Sequence, residues 1–194
     1  MCGFVGFMGG ITPDGQLDDE AMLKRMADRI AYRGPDDAGY WCDVNDRVGF
    51  GHRRLSVVDL SSAGHQPMQS ASCRYVLTFN GEIYNHQFLR RTLEETPHFI
   101  NLPKKGGVNS DWRGHSDTET LLAGFDLWGI QATLERATGM FAFAAWDRQT
   151  NTLTLGRDRL GEKPLYYGWQ GQGNAAVFLF GSELKALKEH PAFE

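Results

Sequence analysis

The sequence predicts an α+β protein in which helices cover the outsides of two packed, mostly antiparallel sheets. Three observations predict it. Strand-like runs outnumber helical ones. They follow one another through turn-rich connections, as antiparallel strands do. Residues 140–146, Met140-Phe141-Ala142-Phe143-Ala144-Ala145-Trp146, are apolar on both alternating faces, so this strand should be covered on both sides. A sheet covered on both sides needs a layer on each, which is a layered architecture.

The elements follow in order. Residues 3–8 form a short apolar strand, closed by Gly9-Gly10 and the turn cluster Thr12-Pro13-Asp14-Gly15. Asp18-Asp19-Glu20 opens a helix with Met22, Met26 and Ile30 at i, i+4, i+8, and Lys24, Arg25 and Arg29 lie toward its end as the helix dipole favours. Arg33-Gly34-Pro35-Asp36 reads as its stop, because Pro35 disfavours helical geometry at Gly34. Strands at 39–43 and 47–52 are joined by Val44-Asn45-Asp46, and 51–60 continues as a strand-like run interrupted by Arg53 and Arg54. After a Gly/Pro/Ser-rich loop at 61–72, residues 73–79 form a strand that runs into Asn80-Gly81. Asn85 can cap a helix with Phe88, Leu89 and Leu93 inward. Residues 96–114 form a long loop around one short strand at 98–100. Ser116-Asp117-Thr118-Glu119 fits a capping box, followed by the stripe Leu121, Leu122, Phe125 and Trp128 and the stop Gly129. Beyond 140–146, strands are expected at 151–157, 164–169 and 175–180, and Ser182 caps a closing helix with Leu184 and Leu187 inward.

Length and composition narrow the class. A chain of 194 residues is the size of one domain, and such a chain buries roughly 70% of the surface it exposes when unfolded. The 41% hydrophobic and 23% charged residues are those of a soluble globular protein, and a net charge of −4 with no basic block argues against a nucleic-acid partner. The longest apolar stretch falls far short of the ~20 residues a membrane helix needs, and no basic start precedes an apolar run, so the expected compartment is the cytoplasm. Cys2, Cys42 and Cys73 are odd in number and show no paired spacing, so neither a disulfide framework nor a metal site is expected.

Chemistry is carried by a few positions. Clipping of Met1 would make Cys2 the amino terminus and place a thiol and an α-amine on one carbon framework. Their reference pKa values of about 8.5 and about 7.7–8.0 let the amine take the thiol proton near neutrality. Asn80-Gly81 has two readings. One is a tight hairpin turn, and the other is an amide and a backbone N–H aimed at a developing oxyanion. The helix expected after Asn85 is a poor second hairpin strand and favours the site. Arg54 either snorkels from an edge strand or awaits a carboxylate for its planar fork. The capping box explains Ser116 and Glu119 and leaves Asp117 free to bind a cation beside a helix start.

In order along the chain, Cys2-Gly3, Arg33-Gly34-Pro35-Asp36, Gly51-His52-Arg53-Arg54-Leu55-Ser56, Phe79-Asn80-Gly81-Glu82-Ile83-Tyr84-Asn85, Ser116-Asp117-Thr118-Glu119, 139–144 and Arg157-Asp158-Arg159-Leu160-Gly161 form a constellation. Together it resembles the N-terminal glutaminase domain of glutamine-hydrolysing asparagine synthetases, class II glutamine amidotransferases of the N-terminal-nucleophile hydrolase superfamily. Arg54-Leu55-Ser56-Val57-Val58-Asp59, Lys163-Pro164-Leu165-Tyr166-Tyr167 and Ser182-Glu183-Leu184-Lys185-Ala186-Leu187 look most like the asparagine synthetase branch.

The resemblance implies a four-layer αββα sandwich with Cys2 as nucleophile and its α-amine as base. It makes Asn80 and Gly81 the oxyanion donors, Arg54 the holder of the glutamine α-carboxylate, and Asp117 with the Glu82 region the receivers of the α-ammonium. The reaction implied is hydrolysis of L-glutamine to glutamate and ammonia through a cysteinyl thioester. No cofactor or metal is implied in this domain. ATP and magnesium belong to a C-terminal synthetase domain that amidates aspartate or a related carboxylate, and a homodimer is one assembly open to the whole protein. The Ser-Gly-Gly-containing ATP loop of the family is absent, so the sequence is expected to be a piece of a longer chain. The stretch 96–114 is longer than the family pattern. Two rival readings stand beside this one: a catalytically silent glutamine-binding or regulatory module on the same fold, and a thiol hydrolase pairing Cys2 with His52 or His65.

Overall fold

A computed structural model describes residues 2–10, 19–96 and 112–194. In chain order the elements are β1 (Gly3–Gly9), α1 (Asp19–Asp28), β2 (Asp37–Asp43), β3 (Val48–Arg54), β4 (Met68–Gln69), β5 (Tyr75–Ile83), α2 (His86–Glu94), α3 (Asp117–Trp128), α4 (Ile130–Arg136), β6 (Gly139–Asp147), β7 (Thr152–Arg157), β8 (Tyr166–Gln170), β9 (Val177–Gly181) and α5 (Leu184–Leu187). The strands form two sheets, ordered β2-β3-β1-β9-β8 and β4-β5-β6-β7, and every pairing between them is antiparallel.

The side-chain alternation of a strand sorts the apolar residues into three cores. In β6, Phe141, Phe143 and Ala145 pack with Leu89 of α2 and with Leu121, Leu122 and Phe125 of α3. The alternate residues Ala142, Ala144 and Trp146 pack between the sheets with Phe4, Val48, Phe50, Val76 and Phe180. On the far side, Val5 and Phe7 of β1 join Met22, Leu23 and Met26 of α1 and Leu187 of α5. The layers therefore run helix, sheet, sheet, helix, as the all-apolar run at 140–146 requires. Within the five-stranded sheet the Phe180 ring of β9 lies over its pairing partner Gly6 of β1, where an added Cβ would lie 2.3 Å from that ring.

Several local expectations are corrected. The Asn80-Gly81 pair makes no turn: β5 passes straight through it, paired with β6 from Tyr75↔Asp147 to Ile83↔Gly139. Asn85 precedes α2 without a side-chain cap. Its amide instead bridges to α4 and β6, donating to the Arg136 carbonyl and accepting from the Thr138 N–H, both at 2.9 Å. Phe88 is 60% exposed, so the buried apolar residues of α2 are Leu89 and Leu93, with Arg90 buried beside them. Ser182 does not cap α5. Its hydroxyl accepts the Phe4 N–H at 3.0 Å and ties β1 to the chain after β9, while Leu184 stays 44% exposed. Helix α1 ends at Asp28, short of the expected stop, and a single 3-10 turn at Ala31–Arg33 follows. The turn cluster at 12–15 and the short strand at 98–100 lie outside the described residues. No helix among the described residues is long and apolar enough to cross a membrane.

Candidate active site

The site lies where the start of β1, the end of β3 and the end of β5 meet. Gly3 pairs with Arg53, which brings Cys2 alongside the residues leaving β3. The half-buried Cys2 Sγ accepts the Leu55 N–H at 3.3 Å, and its S–H donates to the Leu55 carbonyl at 3.5 Å. Arg33 Nε donates to the Cys2 carbonyl at 3.0 Å, and its Nη1 is paired with Glu183 at 2.8 Å. The arginine of Arg33-Gly34-Pro35 thus does more than end a helix: it fixes the main chain of Cys2. Burial pushes the Cys2 thiol above its ordinary value, opposed by the Leu55 N–H and by the charge of Arg54.

Asn80 sits on the β5 face that carries Val76 into the inter-sheet core. Its side chain is buried, at 2% exposure, and the Nδ2 amide has no hydrogen-bond partner. A buried donor without an acceptor costs free energy, and such a group in a cavity wall is poised for a ligand. Gly81 follows against β6, where an added Cβ would lie 2.4 Å from the Met140 carbonyl. The neighbouring strand alone already demands glycine there.

Arg54 ends β3 and is buried. Its Nη1 donates to the Ser61 carbonyl at 2.9 Å and its Nη2 to the Asp59 carbonyl, so the guanidinium is aimed by the loop that follows. Asp117 opens α3 behind the Ser116 cap, whose Oγ accepts the Glu119 N–H at 3.2 Å. The Glu119 carboxylate does not close the capping box. It accepts the Arg113 and Gly114 N–H groups and pairs with Arg90 at 3.3 Å, pinning the segment before the helix. The Asp117 carboxylate accepts the Ile83 N–H and the Thr118 N–H, both at 2.9 Å, and burial raises its pKa against those bonds.

Cys2, Arg54, Asn80, Gly81, Glu82 and Asp117, the six residues singled out in the sequence, line one cavity of about 160 Å³. Glu82 is exposed at its rim. The histidines do not join Cys2. His52 is fully buried, bonds Thr78 Oγ1 at 2.9 Å, and is pushed by burial to a pKa of about 3, while His65 pairs with Asp37 at 2.8 Å. With the thiol bonded to the Leu55 backbone instead, the Cys-His reading loses its required contact.

Sequence reasoning missed Gln66 and Lys163, which also line the cavity. Gln66 accepts the Phe79 N–H at 2.7 Å and steadies β5 next to Asn80. No local pattern marks Gln66, because its partner comes from a separate strand. Lys163 stands in Lys163-Pro164-Leu165-Tyr166-Tyr167, a run that carries family likeness and no site signal of its own.

Two antiparallel sheets lie between helical layers, and Cys2, one residue ahead of the central strand β1, lines the cavity. The sequence model of the family described as "Glutamine amidotransferase domain" matches residues 1–194, and the chain belongs to that family. It is 37% identical over 193 residues to asparagine synthetase [glutamine-hydrolyzing] 3 of Bacillus subtilis (strain 168), covering 98% of this chain and 28% of that protein. It is 40% identical over 187 residues to asparagine synthetase [glutamine-hydrolyzing] 1 of the same organism, covering 96% and 26%. Amidase chry2 of Gibberella zeae is 33% identical over 174 residues, covering 86% and 24%. The chain spans about a quarter of the length of the curated relatives it matches.

Proposed function

We propose that this domain hydrolyses the side-chain amide of L-glutamine and supplies the ammonia to a synthetase domain of a longer protein. The observation that carries the reading is the unpartnered, buried Asn80 Nδ2 lining the same cavity as the Cys2 thiol. An oxyanion formed by attack of that thiol is the acceptor such a donor lacks.

In this reading the free α-amine of Cys2 takes the thiol proton, and the thiolate attacks the amide carbon. The negative oxygen is met by Asn80 Nδ2 and the Gly81 N–H. The C–N bond breaks as the amine returns the proton to the leaving nitrogen, and ammonia departs. Water then cleaves the γ-glutamyl thioester to glutamate and restores the thiol. Arg54 takes the substrate α-carboxylate, and Asp117 with Glu82 takes the α-ammonium, so the reacting amide is held from its far end. The names of the relatives favour a synthetase partner that amidates aspartate or a related carboxylate. ATP and magnesium would be used in that domain.

The test is ammonia release from glutamine by the chain with Met1 removed, against Cys2→Ala. The wild-type chain should release ammonia and the variant should bind glutamine without turnover. Turnover by Cys2→Ala would refute the mechanism. Binding without turnover by the wild type would make the domain a silent glutamine sensor.

A further inference from the structure

We propose that Asp59 is a positioning residue that sets the separation between the two charged poles of the glutamine clamp, Arg54 and Asp117. The inference rests on the glutamine reading above and adds to it the element that gauges the α-amino-acid end of the substrate.

Asp59 lies in the loop after β3 and is 7% exposed. It borders the cavity, yet both carboxylate oxygens are engaged by the protein itself. Its Oδ1 accepts the Ser61 N–H at 2.8 Å and the Ser61 hydroxyl at 2.6 Å. That local ring turns the main chain so that the carbonyls of Asp59 and Ser61 both accept from the Arg54 guanidinium. Its Oδ2 reaches a different segment and accepts the His115 N–H at 2.7 Å. His115 stands two residues ahead of Asp117. One carboxylate therefore holds the backbone that aims the cationic pole and the backbone that leads into the anionic pole.

The junction has no slack. An added Cβ on Gly114 would lie 2.4 Å from Asp59 Oδ2 and 2.7 Å from Ala63 Cβ. The Ser61 hydroxyl, then the His115 N–H, hold the Asp59 carboxyl down at about 2 against the cost of burial, so it is an acceptor throughout the neutral range. Asparagine at this position would turn one end of the side chain into a donor. Whichever way its amide faced, either Ser61 or His115 would meet another donor.

A shift in pole separation has a specific signature. A substrate held at both poles feels it, and a substrate with a single pole does not. The experiment measures ammonia release by the chain with Met1 removed and by Asp59→Asn. Three amides are used: L-glutamine, glutaramate, which lacks the α-ammonium, and 4-aminobutanamide, which lacks the α-carboxylate. For glutamine, Asp59→Asn should raise KM by about tenfold or more with kcat within about threefold, the pattern of lost uniform binding. For the two single-pole amides, kcat/KM should change by less than about threefold. An unchanged KM for glutamine, or an equal loss for all three amides, overturns the proposal. Should Asp59→Asn fail to fold, Gly114→Ala presses on the same carboxylate from the other side and carries the same expectation and the same contradiction. A wild-type chain that releases no ammonia from glutamine would instead sink the glutaminase reading, and this proposal with it.

Discussion

Asn80 and Asp117 show how much of the proposed site rests on single buried side chains. The Asn80 amide is buried and lacks an acceptor. Asn80→Ala should lower kcat for glutamine by about 10²–10³-fold, the usual loss of one oxyanion donor, with a much smaller change in KM. Steady-state kinetics decides it, and an unchanged kcat would remove Asn80 from the chemistry. Asp117 carries a pKa raised by burial, so on acidification it takes up its proton before an ordinary aspartate does. Only the ionised form can hold an α-ammonium. KM for glutamine should therefore rise as pH falls toward, and before reaching, the usual aspartate range, and Asp117→Asn should abolish that dependence. At this scale the sequence singles out Cys2, Asn80, Arg54 and Asp117 by residue type, and the structure brings the four to one cavity. Gln66 and Asp59 were not legible, because their partners at Phe79 and His115 come from distant segments.

At the scale of elements, β5 and α3 deliver the site. Asn-Gly is a strong local turn signal, yet β5 stays extended through it because β6 offers a partner at every rung from Tyr75 to Ile83. Tertiary pairing overrides local preference here, and no reading of that dipeptide alone could settle which wins. The α3 stripe was legible from its spacing, and so was its Ser116 cap. Ser116→Ala should cost about 1 kcal/mol in denaturant unfolding. A second element-scale test sits at the end of the β5–β6 pair where Tyr75 meets Asp147, the opposite end from Ile83. Arg74 pairs with Asp147 at 2.6 Å, and its hydrogen bonds hold the Asp147 carboxyl at about 2, below the usual aspartate range. A depressed carboxylate adds stability above its unfolded pKa and loses it as the pH falls through the folded one. Asp147→Asn should therefore be less stable than wild type above about pH 4, with the gap closing toward about pH 2. A gap of constant size over that range would contradict the assignment. The two-residue β4 and the helix α4 escaped detection because neither is long enough to show a period.

The whole molecule is organised by the run at 140–146, whose two faces feed two different cores. That single pattern made the layered arrangement legible, whereas the order of strands within each sheet was not, since pairing partners are chosen by packing across long loops. The packing of the Phe180 ring over its strand neighbour Gly6 makes a measurable demand. Gly6→Ala would drive a Cβ into the Phe180 ring, and it should destabilise the fold by about 1–3 kcal/mol, as overpacking does. A neutral result in chemical denaturation would mean that the Phe180 ring moves aside easily. The same architecture puts Cys2 one residue ahead of the central strand, with its carbonyl held by Arg33 and its thiol held by Leu55. In the proposed mechanism the α-amine of Cys2 must be free. The most direct test compares ammonia release from glutamine by the chain with Met1 removed and by the same chain with Met1 retained, together with calorimetric glutamine binding. The account predicts hydrolysis by the first, almost none by the second, and binding by both. Equal hydrolysis by the two would contradict it.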